Sequence, residues 1–317
     1  MRKRPADSEK ESLLQSPDPL LDCDVIVVNY NAGEMLGSCV SSALAEGARR
    51  VIVVDNGSRD DSLTYLEKEL PRQERLAIIR NGDNFGFAKA CNIGVGVSTS
   101  RHLFFLNPDC ILAPGSLRRM ITVLESDHAI GMVGGLLCNQ DGSEQPGGRR
   151  AFPTPRRAFV RAFGLSRLAA IFPDLMADFR LHAEPLPAAP AIVEAISGAC
   201  MLVKREAMDD VGLWDEGYFL HCEDLDWCMR FHQKGWQVVF VPDARVFHAW
   251  RACSRSRPIF VEWHKHKGML RFYRKFFRHQ YHGLLWVLVL VGVWVRFPIM
   301  AGYYSFRRLA GFLGSRA

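Results

Sequence analysis

The 317-residue sequence lacks a secretion signal and lacks any paired-cysteine motif. Its N-terminus begins with MRKR but continues into polar residues without an apolar segment, which excludes an ordinary secretory signal. The nine cysteines include no C-x-x-C pair and no recurring spacing, so neither a disulfide framework nor a zinc site is indicated. We therefore expect a reducing compartment, with the body of the chain in the cytoplasm.

Two glycine-rich phosphate-binding motifs are also missing. A dinucleotide site needs G-x-G-x-x-G after the first predicted strand, where this chain reads NYNAGE from Asn29 to Glu34. The G-x-x-x-x-G-K-[ST] motif does not occur in the sequence. If the protein binds a phosphorylated ligand, a metal ion is the expected means of holding its phosphate oxygens.

Acidic residues are almost absent from residues 251 to 317, which hold 13 Lys and Arg against the single Glu262. A basic segment of this kind binds nucleic acid or an anionic membrane surface. The same segment contains the most apolar run of the chain, Leu284 to Val295, which favours the membrane and argues against nucleic acid.

The geometry of that attachment is predicted from charge. Residues 284 to 304 have the length of a spanning helix, which needs about 20 residues. However, Arg296 near the middle would cost roughly 2.5 to 3.5 kcal/mol on insertion. The preceding Lys265 to His279 mixes basic and aromatic residues, a pattern typical of a helix that lies in the membrane interface. We predict a monotopic or shallowly re-entrant attachment.

The sequence does contain short apolar runs that alternate with amphipathic helix patterns. The runs at residues 24 to 28, 51 to 54, 76 to 79 and 102 to 106 are typical of parallel strands covered on both faces. The alternation predicts an α/β fold with a Rossmann-like, mostly parallel sheet flanked by helices. Residues 1 to 20 are polar and contain several prolines, and we expect them to be a disordered leader.

Polar residues follow each predicted strand. They occur at 29 to 31, 55 to 58, 81 to 84 and 107 to 109. Ligands of such sheets bind outside the carboxyl ends of the strands, so these four loops are expected to converge on one crevice. For Asp55 the alternative is a turn residue within Asp-Asn-Gly-Ser.

Asp109 and His248 are candidate metal ligands because each follows an apolar strand pattern. A carboxylate in this position binds a hard divalent cation that also takes diphosphate oxygens. The alternatives are that Asp109 makes a turn with Pro108 and that His248 is structural.

Three carboxylates, Glu223, Asp224 and Asp226, lie directly before an amphipathic helix pattern. Carboxylates in a first helical turn are commonly explained by the free amides and the helix dipole. The preceding Gly217 to His221 is rich in aromatic and apolar residues that would raise the basicity of a carboxylate, which favours a general base. Gly198 and Ala199 belong to a small-residue segment that would let a ligand approach the backbone. The basic and apolar segment 156 to 172 has two equal readings, a solvated face or a membrane contact.

Taken in order, six stretches resemble family 2 glycosyltransferases of the GT-A fold, and within them the rhamnosyltransferase-like branch of bacterial surface polysaccharide assembly. They are VIVVNYN at 25 to 31, VIVVDNGSRDDS at 51 to 62, NGDNFGFAKACNIGV at 81 to 95, FFLNPDC at 104 to 110, the stretch from 197 to 230, and the strand that ends at His248. The resemblance covers about seven tenths of the chain. It implies inverting transfer of a sugar from a nucleoside diphosphate sugar to an acceptor hydroxyl.

The resemblance also assigns roles to individual residues. On the nucleotide-sugar side it implies Asn31, Asp55, Asn84, Gly86, Asn92 and Asn107. Asp109 and His248 are implied ligands of Mg²⁺ or Mn²⁺, although Asn107 replaces the first Asp of the family's Asp-x-Asp motif. Asp224 matches the catalytic base, and Glu223 is expected beside it, toward the acceptor. Gly198 and Ala199 are expected on the acceptor side.

The expected organisation is a leader at 1 to 20, a nucleotide-sugar-binding half at 21 to 138, an acceptor-binding and catalytic half at 139 to 250, and a membrane-associating tail at 251 to 317. The resemblance implies a deoxyhexose donor, with dTDP-rhamnose favoured and a UDP-sugar as the alternative, and a lipid-linked glycan acceptor. It places the protein on the cytoplasmic face of the bacterial inner membrane.

Two other functions remain open from the sequence. One is a membrane-bound scaffold that binds sugar nucleotides but has lost activity, against which the presence of both Asp109 and Asp224 argues. The other is a sugar nucleotidyltransferase, which shares the sheet type. The lack of a glycine-rich loop bearing Lys or Arg after the first strand argues against that reading.

Overall fold

The computed structural model describes residues 20–162, 181, 184–249, 257–281 and 283–314. The predicted leader, apart from Leu20, lies outside the described residues. Residues 163 to 172 of the basic segment 156 to 172, for which two readings were open, also lie outside the described residues.

Nine of the strands in the described residues form one mixed sheet, ordered β3-β2-β1-β4-β10-β6-β11-β5, with β8 paired to β11; β7 and β9 form a separate small sheet. The strands are β1 Leu21–Asn29, β2 Ala48–Asp55, β3 Leu76–Arg80, β4 His102–Leu106, β5 Cys110–Leu112, β6 Ile130–Cys138, β7 Arg149–Arg150, β8 Ala191–Ile192, β9 Ala195–Ile196, β10 Cys200–Lys204 and β11 Gln237–His248. Neighbours β3, β2, β1 and β4 are parallel, as are β6 and β11. The predicted mostly parallel α/β fold is confirmed.

The helices cover both faces of the large sheet. They are α1 Met35–Ala45, α2 Ser62–Glu69, α3 Phe87–Gly96, α4 Ser116–Glu125, α5 Pro155–Ala162, α6 Arg205–Val211, α7 Glu223–Gln233, α8 Pro258–Phe276 and α9 Gly283–Gly314. In β1, Val25 and Val27 pack with α1 and α4, whereas Ile26 packs on the other face with α3 and α7. Successive strand residues point to opposite faces, so burial on both sides explains why the run is continuously apolar.

Strand β10, in the interior of the sheet, runs antiparallel to both of its neighbours. β10 is antiparallel to β4, with Cys200 opposite Leu106. The start of β10 therefore lies beside the end of β4, which brings Gly198 and Ala199 to the same edge as Asn107. The sequence pattern did not predict this direction, because a buried apolar strand reads alike in either orientation.

The strand that ends at His248 is longer than its two apolar runs indicated. β11 continues through Pro242 and Asp243, and its register against β6 shifts between Val241 and Arg245. At its end β11 pairs with the short strand β5, with His248 opposite Cys110. This pairing places His248 beside Cys110, the residue that follows Asp109.

Helix α8 contradicts the prediction that Lys265 to His279 lies in the membrane interface. Its apolar side chains Leu270, Phe272, Tyr273 and Phe276 are buried, and the three aromatic ones join the core that includes α7. The amphipathic pattern was read correctly, but its apolar face is covered by protein. An amphipathic helix can bury its apolar face either against a membrane or against protein, so the pattern does not distinguish the two.

Helix α9 has the length and composition to cross a membrane. Its segment Gly283–Arg307 has 25 residues and contains an 18-residue stretch with a mean hydropathy of 2.2, of which only 6% is buried. Arg296 is not an isolated charge, because its Nη1 lies 3.3 Å from Glu262 Oε2 and 3.2 Å from His266 Nε2 of α8. Glu262, the sole acidic residue of residues 251 to 317, thus pairs with Arg296, whose charge had argued against membrane insertion.

Candidate active site

The ends of β1 and β2 are joined by side-chain hydrogen bonds. Asn29 Nδ2 donates to Asp55 Oδ1 at 2.8 Å and to Ser58 Oγ at 3.1 Å. Ser58 Oγ also accepts from the Asn31 amide at 3.0 Å. Asn31 has a left-handed φ of 55°, and its Oδ1 accepts from the Arg59 amide at 2.8 Å. The structure therefore brings the predicted residues Asn31 and Asp55 together across Ser58.

The loop before α3 packs against the segment that leads to α7. Asn84 Oδ1 accepts from the Gly86 amide at 2.9 Å, and the Phe87 amide donates to the Phe219 carbonyl at 2.9 Å. Gly86 has φ 87°, and a Cβ there would lie 2.7 Å from the Phe219 carbonyl oxygen. Glycine is required at this position both by the backbone conformation and by the close approach.

Asn92 uses its amide inside the protein. Nδ2 donates to the Trp214 carbonyl at 3.0 Å and to Glu216 Oε1 at 3.0 Å, while Oδ1 accepts from the Trp214 amide at 3.1 Å. The residue ties α3 to the segment that precedes α7. Its predicted contact with the nucleotide stays a prediction.

Asp109 and His248 form the centre of a candidate metal site. Their Oδ1 and Nε2 atoms are 3.2 Å apart. Together with Cys110 they are a group whose ligand atoms all lie within 4.8 Å of one another. The pairing of β5 with β11 and the bend after β4 bring these residues together, although 138 residues of sequence separate Asp109 from His248.

Gln145 fixes the orientation of the His248 ring. Its Nε2 donates to the His248 carbonyl at 2.6 Å, which leaves Oε1 as the acceptor facing Nδ1 at 2.9 Å. Nδ1 therefore donates to Gln145, which leaves Nε2 directed toward Asp109. Metal-binding histidines are commonly oriented in this way by a partner on the other nitrogen.

Cys110 fits a hard cation poorly. Burial, and next the charge of Asp109, raise the pKa of its thiol well above the usual range. The Sγ atom faces the Ala199 carbonyl at 3.5 Å as a hydrogen-bond donor. Because Mg²⁺ and Mn²⁺ prefer oxygen ligands, the carboxylate of Asp109 and the imidazole of His248 are the pair that would hold such an ion.

The small residues before β10 connect the two sides of the crevice. The Gly198 amide donates to Asp224 Oδ2 at 3.2 Å, and the Ala199 carbonyl accepts from the Asn107 amide at 3.0 Å. Asp224 and the Asp109 side of the site are thus attached to adjacent residues of one segment.

Asp224 is ion-paired with Arg150 of β7. Burial alone would raise the pKa of Asp224, but the Arg150 guanidinium and the amides of Gly198 and Leu225 outweigh it and lower the pKa below its usual value. The carboxyl is therefore ionised at neutral pH. Arg150 Nη2 also donates to the Ile196 carbonyl at 3.1 Å, which fixes the guanidinium against β9.

Glu223 has the opposite electrostatic character. Burial, and next the charge of Asp224, raise the pKa of Glu223 well above its usual range. Its Oε2 atom is buried and has no hydrogen-bond partner among the described residues. Glu223 therefore retains its proton at a pH where Asp224 has lost its own.

Asp226, one of the three carboxylates of the first helical turn, does not cap the helix but is paired inside the protein. Its carboxylate is fully buried and accepts from Tyr218, Arg230 and Lys275, at 3.1, 2.7 and 2.7 Å. It lies at the fourth helical position, and the helix begins without a side-chain cap. A buried carboxylate needs such partners, and here they come from α7 itself, from α8 and from the segment that precedes α7.

Arg150 and Gln145 were not found from the sequence. Both lie in the Gly- and Arg-rich stretch 139 to 150, where no periodic pattern distinguishes them from surface residues. Their partners are 74 and 103 residues away in the chain. The available signal was weak: a buried carboxylate predicts a cation somewhere, without saying which one.

Sheet, crevice and paired polar residues together define an α/β glycosyltransferase of the GT-A type. The family model described as "Glycosyl transferase family 2" matches residues 24–212, and the model "Glycosyl transferase family group 2" matches residues 175–313. The chain belongs to glycosyl transferase family 2.

Curated relatives over most of the chain carry rhamnosyltransferase names. An N-acetylglucosaminyl-diphospho-decaprenol L-rhamnosyltransferase of Mycobacterium tuberculosis is 28% identical over 71% of this chain and 75% of its own length. Rhamnosyltransferase WbbL of Escherichia coli is 24% identical over 73% and 85%. The dTDP-rhamnosyl transferase RfbF of Shigella flexneri is 24% identical over 78% and 76%.

Solved structures agree in fold. The mannosyltransferase PcManGT from Pyrobaculum calidifontis, in complex with GDP-Man and Mn²⁺, has a TM-score of 0.56 at 15% identity and covers 94% of this chain and 80% of its own. GalNAc-T7 with UDP, GalNAc and Mn²⁺ has a TM-score of 0.55 at 19% identity over 73% of this chain, which spans 44% of that protein. These likenesses establish the architecture.

Proposed function

We propose that this protein is an inverting glycosyltransferase that moves a deoxyhexose, with rhamnose favoured, from a nucleoside diphosphate donor to a lipid-linked glycan. One observation carries the proposal. An ionised carboxylate, Asp224, and a carboxylate–imidazole pair, Asp109 and His248, are attached to neighbouring residues at the carboxyl edge of the sheet. Inverting transfer needs a base on one side of the sugar carbon and charge neutralisation on the other.

In the proposed reaction Asp224 removes the proton from the attacking acceptor hydroxyl. The new bond forms between that oxygen and the anomeric carbon while the bond to the diphosphate oxygen breaks, so no covalent enzyme intermediate is needed. Asp109 and His248 would hold the divalent cation, which when bound neutralises charge on the leaving diphosphate. Glu223, retaining its proton, is suited to donate a hydrogen bond from its carboxyl group to the acceptor.

On the donor side we propose that Asn31 and Asp55 contact the nucleoside. Asn84, Gly86, Asn92 and Asn107 complete that side of the crevice in the same proposal. Asp55 supports it by being held at both carboxylate oxygens, because Asn29 and the Ser58 amide fix its orientation. A fixed carboxylate suits recognition of a ribose hydroxyl or a base edge.

The donor and acceptor classes rest on the relatives. One relative is named for a dTDP-rhamnosyl donor and another for a diphospho-decaprenol acceptor. The exposed apolar helix α9 is compatible with an acceptor that is anchored in a membrane. We therefore propose a dTDP-sugar as donor, a polyprenyl diphosphate glycan as acceptor, and attachment to the cytoplasmic face of the bacterial inner membrane.

The test uses purified full-length protein with dTDP-rhamnose, UDP-sugars or GDP-sugars, Mn²⁺ or Mg²⁺, and a polyprenyl diphosphate-linked N-acetylglucosamine. We expect release of nucleoside diphosphate together with a lengthened lipid-linked product. Asp224→Asn should abolish transfer and leave nucleotide binding within about threefold, because the base is lost but the donor side is intact. Release of pyrophosphate instead would indicate a nucleotidyltransferase, and nucleotide binding without turnover would indicate an inactive scaffold.

A further inference from the structure

The residues directly before Glu223 adopt a costly backbone conformation. His221 and Cys222 have φ values of 68° and 73°, in the left-handed region that side chains other than glycine, Asn and Asp seldom occupy. Two such residues in succession persist only where the surrounding structure holds them, and such strain is concentrated at functional sites. This left-handed turn, residues 221 and 222, sets the direction in which α7 presents Glu223 and Asp224.

Helix α8 lies directly against the left-handed turn. A Cβ on Gly268 would lie 2.6 Å from the His221 carbonyl oxygen and 3.3 Å from Cys222 Cβ and Sγ. Real Cβ atoms do not approach so closely, so the contact exists only because residue 268 is glycine. Glycine in a helix interior costs about 1 kcal/mol relative to alanine, and this contact is a reason to keep it.

Ion pairs form a second set of contacts between α8 and the segment that contains the left-handed turn and the start of α7. Lys275 Nζ lies 2.7 Å from Asp226 Oδ2 and 2.8 Å from Asp215 Oδ2. Asp226 is fully buried and lies two residues after Asp224. Arg271 adds a bond of 2.8 Å to Asp215. The charges of α8 therefore hold both ends of the segment that contains the left-handed turn.

The same helix is attached to the membrane candidate α9. Arg296 of α9 reaches Glu262 of α8, and the rings of Trp263 and Trp294 lie with centroids 5.3 Å apart. One helix thus contacts the left-handed turn on one side and the exposed apolar helix on the other.

We propose that α8 is part of the catalytic apparatus, and that Gly268 and Lys275 are positioning residues which hold the left-handed turn so that Asp224 faces the acceptor. This inference rests on the proposed function of Asp224. It assigns to the C-terminal segment a role in turnover, separate from membrane attachment. The contacts that carry it are made by backbone approach at Gly268 and by paired charges at Lys275.

The first test compares Gly268→Ala with Gly292→Ala in full-length protein. Both changes replace a helical glycine by alanine, but a Cβ on Gly292 meets nothing within 4 Å. We expect Gly268→Ala to lower kcat at least about tenfold with donor KM within about twofold, because displacement of a base by a fraction of an ångström is enough. Gly292→Ala should keep wild-type kinetics. A Gly268→Ala variant with wild-type kcat overturns the proposal.

The second test changes charge. Lys275→Met should lower kcat while Lys275→Arg restores most of it, and Lys267→Met on the exposed side of α8 should have no effect. Equal loss of kcat in the Met and Arg variants would contradict positioning by the paired charge.

A third measurement does not depend on activity. Amide hydrogen exchange of residues 221 to 226 should be faster in Gly268→Ala than in Gly292→Ala. Unchanged exchange overturns the inference even in an active enzyme. If exchange changes but the wild-type protein transfers no sugar, the proposed function fails and the contact of α8 with the turn stands.

Discussion

Arg150 and Asp224 form an ion pair across 74 residues of sequence, and through it a strand at the edge of the crevice controls the charge of the proposed base. The pair lies where the acceptor is expected, beside the Gly198 amide. An oriented guanidinium keeps the carboxylate ionised and also limits its motion. The protonation of Asp224 is therefore a property of the assembled site.

Replacing Arg150 should shift the pH dependence of transfer. The guanidinium lowers the pKa of Asp224, so Arg150→Gln raises that pKa, and the base becomes protonated at a higher pH. We expect the acidic limb of kcat/KM to move upward by about one pH unit or more. Arg119→Gln, which removes an exposed pair with Asp243, should leave the profile in place. An unshifted acidic limb in Arg150→Gln would show that Asp224 is not the titrating base.

Replacing Glu223 should change the pH dependence of stability. Its folded-state pKa is raised, so the folded protein holds a proton that the unfolded chain loses near pH 4.3, the usual pKa of Glu. The stabilising effect of that proton is full below this pH and is lost as pH rises toward the folded-state pKa. We expect the Tm of wild type to fall more steeply from pH 5 to 8 than that of Glu223→Gln. The exposed Glu206→Gln is the control, and parallel curves for wild type and Glu223→Gln would refute the assignment.

Replacing Gln145 should weaken metal binding without touching a ligand. Loss of its Oε1 frees the His248 ring and its tautomer, and such partners are worth about 10- to 100-fold in metal affinity. Gln145→Leu should raise the Mn²⁺ Kd by that amount in titration calorimetry or electron spin resonance. Gln140→Leu, at an exposed position nearby, should leave the Mn²⁺ Kd unchanged. Equal Mn²⁺ affinity in both variants would place the ion elsewhere.

Membrane attachment is tested by alkaline carbonate extraction. If α9 lies in the interface or is shallowly re-entrant, as its Arg296 predicts, the protein is recovered in the supernatant. Arg296→Leu removes the charge that opposes insertion and should shift protein to the pellet. Arg274→Leu, on the exposed side of α8, should leave the protein in the supernatant. Wild-type protein that stays in the pellet contradicts the predicted attachment.

Local pattern was sufficient for much of the fold. The apolar runs at 76 to 79 and 102 to 106 gave β3 and β4 within one residue of their observed bounds, because a buried strand depends on its own run of residues. The direction of β10 and the pairing of β5 with His248 depend on which neighbour the chain returns to. No short-range pattern carries that information.

The residues of the candidate site also fall into those that a local pattern predicts and those that depend on distant partners. Asp55 and Asp109 were predicted as site residues because strand ends in such sheets collect ligand contacts. Arg150 and Gln145 were missed because their importance comes from partners that are distant in sequence. The apolar face of α8 was identified and given the wrong partner, since burial against a bilayer and burial against α7 require the same side chains.

The backbone bond from Phe87 to Phe219 links the two sides of the proposed reaction. It joins the loop at Gly86 to a residue two positions before His221, so under the proposed function a sugar nucleotide that moves this loop would shift the acceptor side as well. Occupancy by one substrate would then alter the affinity for the other, and linkage requires that the effect be equal in both directions.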